Sequence, residues 1–89
     1  MANPVYKRAA QLMEAELGDE LVALDASAGK CFGFNAVATS VWHRLASPAS
    51  FEQLKDGLLD EYDVSEGQCT NELRELLDQL VAKGLVTTA

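Results

Sequence analysis

Between residues 10 and 34 apolar and polar residues follow the short period of strands, and from about 36 they switch to the longer period of helices. "AQLMEAEL" (10–17) is loosely apolar, with Leu12 and Leu17 expected inward. The odd spacing of those two leaves the register around Met13 and Ala15 open. "GD" at 18–19 is a turn signal, and "ELVALD" (20–25) follows as a strand with apolar residues on both faces, Leu21 and Ala23 against Val22 and Leu24. "ASAG" (26–29) makes a tight connection in which Gly29 is free to take positive φ, and "KCFGF" (30–34) is the next strand. Short connections favour an antiparallel meander. In the last strand Phe32 and Phe34 share a face, and Cys31 and Gly33 share the other. Nothing further along the chain is an obvious partner for its second edge.

The second half predicts helices. Asn35 caps a helix over about 36–46, where Val37, Val41, Trp42 and Leu45 recur at helical spacing. "SP" at 47–48 stops it, because the residue before proline is pushed out of the α region. Ser50-Phe51-Glu52-Gln53 has the form of a capping box and opens a helix to about Tyr62, with Phe51, Leu54, Leu58 and Leu59 inward. Ser65-Glu66-Gly67-Gln68 repeats the pattern for a helix to about Lys83, which Gly84 ends, and "LVTT" (85–88) is compatible with a short terminal strand. The expected class is α+β: a three-stranded antiparallel sheet followed by three helices in one domain, residues 1–89.

Composition narrows the function. At 89 residues, 48% hydrophobic and 24% charged, the chain suits one small folded core. No apolar run reaches the roughly 18 residues of a membrane span, and "MANPVYKRAA" lacks a signal-peptide layout, so a cytoplasmic protein without membrane contact is expected. Seven Lys and Arg against 14 Asp and Glu give a net charge of −7. That balance opposes nucleic-acid binding, since phosphate contacts need a basic footprint. Cys31 and Cys69 have neither CxxC spacing nor neighbouring histidines, and both are expected as buried, reduced thiols. No cofactor or metal is implied.

Catalytic chemistry is hard to place. The only histidine, His43, has no nucleophile or acid partner in the sequence, and the carboxylate pairs Asp60-Glu61 and Glu72-Glu75 fit solvated helix faces. Arg74 stands one turn from Asp78 and suits an ion pair with it. On the last helix Cys69, Leu73, Leu76 and Leu80 form a seating stripe. At about 100° per residue Leu77 and Val81 widen it on one flank, with Thr70 between them and Arg74 just beyond. Either the first helix covers that flank or it walls an apolar groove beside a strand edge. Gly33 raises a related question, because a strand glycine marks either close approach of another backbone or a tolerated gap.

"GDELVALD" (18–25), "GKCFGFN" (29–35), Ala38 and Trp42, "EYDVS" (61–65) and "LVAKGLV" (80–86) occur in the order and spacing of a known family. Over about residues 12–86 the sequence resembles the PqqD-like peptide-binding domains, the RiPP recognition elements of ribosomally made and modified peptides. The resemblance implies a winged-helix-like domain, α+β with three strands followed by three helices, in which the leader segment of a precursor peptide adds as a strand beside residues 30–34, against the last helix. It implies partnership with maturation enzymes: a leader protease and a cyclase in lasso-peptide pathways, or a radical enzyme for PqqD in pyrroloquinoline quinone synthesis. The sequence lacks a strong match to the PqqD-specific pattern after residue 25, which favours the lasso-type setting. The expected peptide contacts are Lys30, Cys31, Phe32, Gly33 and Phe34 along the strand, and Thr70, Leu73, Arg74, Leu77 and Val81 on the helix. Two alternatives stand beside this reading, a winged-helix DNA-binding regulator and a structural module that dimerises through the same edge.

Overall fold

The computed structural model describes residues 4–9 and 12–88. Its elements are β1 (Val5–Arg8), β2 (Met13–Leu17), β3 (Glu20–Asp25), β4 (Lys30–Phe34), α1 (Ala36–Arg44), β5 (Ala49–Ser50), α2 (Phe51–Glu61), α3 (Glu66–Ala82) and β6 (Val86–Thr88). The expected meander and three helices are present, with β2, β3 and β4 forming an antiparallel sheet in that order. A second sheet, β5-β1-β6, was not anticipated. Its strands are two to four residues long and pair across most of the chain: Tyr6 lies opposite Thr88 on one side and Ala49 on the other. Such short segments carry little periodicity of their own, and pairing with distant residues defines them. Residues 10 and 11 of the expected first strand lie outside the described residues.

Local chemistry sets the helix ends. The Asn35 side chain accepts the Ala38 amide at 2.9 Å to start α1. At α2 the capping box closes in both directions, Gln53 N–H to Ser50 Oγ at 3.2 Å and Ser50 N–H to Gln53 Oε1 at 2.9 Å. At α3 only half of it forms. Ser65 Oγ accepts from Gln68 N, while the Gln68 side chain donates onward to Glu72. The C-terminus of α3 is a Schellman turn, with Leu85 N–H donating to Leu80 O and Gly84 N–H to Val81 O. Gly84 sits at φ +75°, a left-handed conformation strained for residues with a Cβ. The turn tucks Leu80 and Leu85 into the core together.

Trp42, Leu21, Val41, Leu45, Leu54, Leu73, Leu77, Leu85 and Val86 are buried at the centre, with Phe34 edge-on to Trp42 at 5.5 Å between ring centroids. As the alternation predicts, Leu21 and Ala23 of β3 face inward, as does Phe34 of β4 with Phe32 half-buried beside it. Strand β2 departs from expectation. Leu12 packs on the core, but Leu17 is 64% exposed and Met13 67%. Register explains the inversion, because Glu14 and Glu16 lie opposite the buried Ala23 and Leu21 and so take the inward face. Their carboxylates find donors on α1: Glu14 accepts the Trp42 indole N–H at 2.9 Å, and Glu16 lies 3.0 Å from His43 Nε2. Arg8 completes this clasp, its guanidinium stacked 4.3 Å from the Trp42 ring, 3.6 Å from Glu14, and donating to the Trp42 carbonyl. The cysteines also divide. Cys69 is buried as expected, but Cys31 is exposed because it stands on the outward face of β4.

Candidate functional site

Strand β4 pairs with β3 from Phe34 opposite Leu21 to Lys30 opposite Asp25, and among the described residues no strand pairs with its other side. The hairpin leading into it is held by Asp25, whose carboxylate accepts from Ser27 N–H, Ser27 Oγ–H and Ala28 N–H. These bonds, the Ser27 hydroxyl first, hold the Asp25 carboxyl below its ordinary pKa. Gly29 at φ +67° then turns the chain into β4. In an antiparallel ladder alternate residues direct their N–H and C=O groups to either side. The free edge therefore presents the backbone groups of every second β4 residue.

An open groove of about 120 Å³ runs beside this edge, between the end of β4 and the C-terminal half of α3. Phe34, Ala38, Leu76, Leu80 and Leu85 give it an apolar lining, while Gln79 and Lys83 stand at its polar side. Lys83 forms no ion pair among the described residues, in contrast to Lys55, which sits between Glu52 and Glu66 at 3.0 and 3.2 Å. The groove thus combines unpaired backbone, apolar side chains and one cation.

The structure places the expected helix-wall residues away from the groove. A groove beside β4 exists, but on the flank of Leu76 rather than that of Leu77. Leu73 and Leu77 are each 1% exposed and belong to the core. At about 100° per residue Thr70, Arg74 and Val81 lie roughly 120–160° around the helix from Leu76. Helix α2, not α1, covers that side: Arg74 stacks 5.2 Å from the Phe51 ring, and no Arg74–Asp78 pair forms among the described residues. Val81 stays 42% exposed without lining the groove. Leu76, Gln79, Leu80 and Lys83 are the helix residues beside β4. Their shared face was readable in the heptad-like spacing, but which flank α2 would occupy was not.

Gly33 occupies an unusual place. A Cβ built on it meets nothing within 4 Å, so no backbone approaches closely in this chain. It borders the groove and also a second depression, of about 210 Å³, on the outer face of the sheet with Leu17 and Val22.

A larger cleft of about 630 Å³ lies elsewhere, between the β2–β3 turn, α1 and the end of α2. Several of its polar groups are engaged with one another, although Asp19 in its lining has no hydrogen-bond or ion-pair partner among the described residues. Glu16 meets His43, while Glu61 accepts from Ser40 and from Arg44 at 3.0 Å. The Ser40 hydroxyl and the Arg44 guanidinium hold the Glu61 carboxyl below its ordinary value. The Ser40–Glu61–Arg44 contacts give this cleft the chemistry of a brace between α1 and α2. Among the described residues no group of three His, Cys, Asp or Glu comes together as a metal site, and no helix is long and apolar enough to cross a membrane.

Comparison with known proteins agrees with the geometry. No curated protein matches the chain. The solved structure of TbiB1 in complex with the TbiA(beta) leader peptide is similar over 90% of this chain and 93% of that one, at 29% identity and a TM-score of 0.77. The family model described as coenzyme PQQ synthesis protein D matches residues 20–86, from the start of β3 to the start of β6 and so across the β4 edge and α3. That match spans most of the sequence and the whole of the groove, and the chain belongs to the PqqD family.

Proposed function

We propose that this chain, acting as one non-catalytic domain over residues 1–89, binds the leader segment of a ribosomally made precursor peptide and delivers it to cytoplasmic maturation enzymes. The observation that carries the proposal is the free edge of β4 facing an apolar groove on α3. An extended peptide satisfies the edge's unpaired backbone groups, each bond netting about 0.5–1.5 kcal/mol. Each fully buried apolar anchor contributes about 1.5–3 kcal/mol, and ordering a disordered leader opposes these by about 2–5 kcal/mol or more. Backbone bonds are indifferent to sequence, so the anchors set specificity. The similarity to a leader-bound TbiB1 supports this reading.

The strand contacts are Lys30, Cys31, Phe32, Gly33 and Phe34, chiefly through backbone. The wall is Leu76, Leu80 and Lys83. We favour partners of the lasso type, a leader protease and a cyclase, because the sequence after residue 25 departs from the PqqD-specific pattern. The family match favours a second reading, a PqqD-type chaperone for a radical enzyme of pyrroloquinoline quinone synthesis. Calorimetric titration with synthetic leaders of the two precursor types separates the readings. Saturable 1:1 binding of one leader assigns the pathway, and no heat with either contradicts the function. Sedimentation in the same samples tests edge-to-edge dimers, which leader peptide should dissociate.

A further inference from the structure

Gly33 borders a cavity on each side of the sheet, and the two differ in size. The groove toward α3 holds about 120 Å³, and the depression on the outer face about 210 Å³.

A strand added beside β4 points successive side chains to opposite faces. The residue opposite Gly33 shares the outward face, and its neighbour opposite Phe34 shares the inward one. Because Gly33 has no side chain, a large outward residue can lie across it toward Val22 and Leu17. Aromatic residues cover cross-strand glycines in this way. Leu17, 64% exposed, and half-buried Val22 give this depression its apolar part, while Glu20 and Asn35 make its rim polar, a mixed setting that suits an aromatic ring. Resting on the peptide-binding reading above, we infer that Gly33 is a specificity-determining residue. It selects a peptide strand with two adjacent anchors, an aromatic side chain outward over Gly33 and an aliphatic one inward against Leu76 and Leu80.

Gly33 can be changed without strain. Its φ is not left-handed and the space for a Cβ is open, so Gly33→Val should fold with a Tm at or above that of the parent, given the strand preference of valine. The probe is a fluorescein-labelled decapeptide library on a Ser/Thr host, with two adjacent central positions randomised. The parent should enrich Phe, Tyr or Trp beside Leu, Ile, Val or Met, in the order set by strand direction. Fluorescence anisotropy on selected peptides should then show Gly33→Val losing about tenfold in its aromatic preference while keeping the aliphatic one, and Leu76→Asp losing both. An aliphatic preference with no aromatic one, or an aromatic preference unmoved in folded Gly33→Val, overturns this inference alone. Should Gly33→Val not fold, Gly33→Ala decides on the same criterion with a smaller change. No enrichment at either position by the parent overturns the peptide-binding reading with it.

Discussion

Leu76 and Leu77 are adjacent in sequence and should fail in opposite ways. Leu77 is 1% exposed among the core leucines, so Leu77→Ala opens a cavity and costs about 2–5 kcal/mol of stability. Unfolding entropy is about 2.1 cal/mol/K per residue, or about 0.19 kcal/mol per kelvin for 89 residues. The expected fall in Tm is therefore about 10–25 °C. Leu76 is only half-buried and lines the groove, so Leu76→Ala removes about half of a leucine's burial, about 1 kcal/mol or about 5 °C. Binding should reverse the order. Leu76→Asp places a carboxylate against the peptide's apolar anchor and should weaken leader affinity at least tenfold. Folded Leu77→Ala should stay within a few-fold of the parent. Calorimetric melts and isothermal titrations on the three variants provide the test. Parental affinity in Leu76→Asp, or a selective binding loss in a Leu77→Ala protein of undiminished Tm, would refute the placement of the wall.

Other consequences follow from the clasp, the brace and the thiols. Glu14→Ala leaves the buried Trp42 indole N–H without its acceptor and should cost about 1–3 kcal/mol in chemical denaturation, with leader affinity unchanged. The folded-state pKa of Glu61 is depressed, so its stabilisation is present above the ordinary value of 4.5 and is lost as pH falls through the lower folded value. Tm measured from pH 6 down to 3 should fall more steeply for the parent than for Glu61→Gln, and parallel curves would exclude the brace. Burial pushes the Cys69 thiol up in pKa, so native protein should react with Ellman's reagent at Cys31 alone, and two fast thiols would contradict the described core.

Much of the architecture was legible because the determining signals are local. Asn35, Ser50 and Ser65 each mark a helix start through a side chain that reaches three residues ahead. Leu21 and Ala23 point inward because a strand has period two. The failures share a dependence on distant partners. Strands β1 and β5 exist through pairing between Tyr6, Ala49 and Thr88, which no local pattern encodes. Apolar count misorients β2, since Glu14 and Glu16 turn inward only when Trp42 and His43 are there to meet them. The helical wheel of α3 displays a broad apolar surface, and only the position of α2 decides which part remains for the groove. The backbone half of the candidate site was thus readable from "GKCFGFN", and the side-chain half required the packing.

The central claim is that an extended leader peptide becomes the next strand beside β4. Amide hydrogen exchange, resolved by residue and measured with and without saturating leader, tests it most directly. Those β4 amides between Lys30 and Phe34 that point away from β3 should gain protection in an alternating pattern, while β2, at the opposite edge of the sheet, should not change. Tight binding with no added protection in β4, or with protection appearing along β2 instead, would contradict the account.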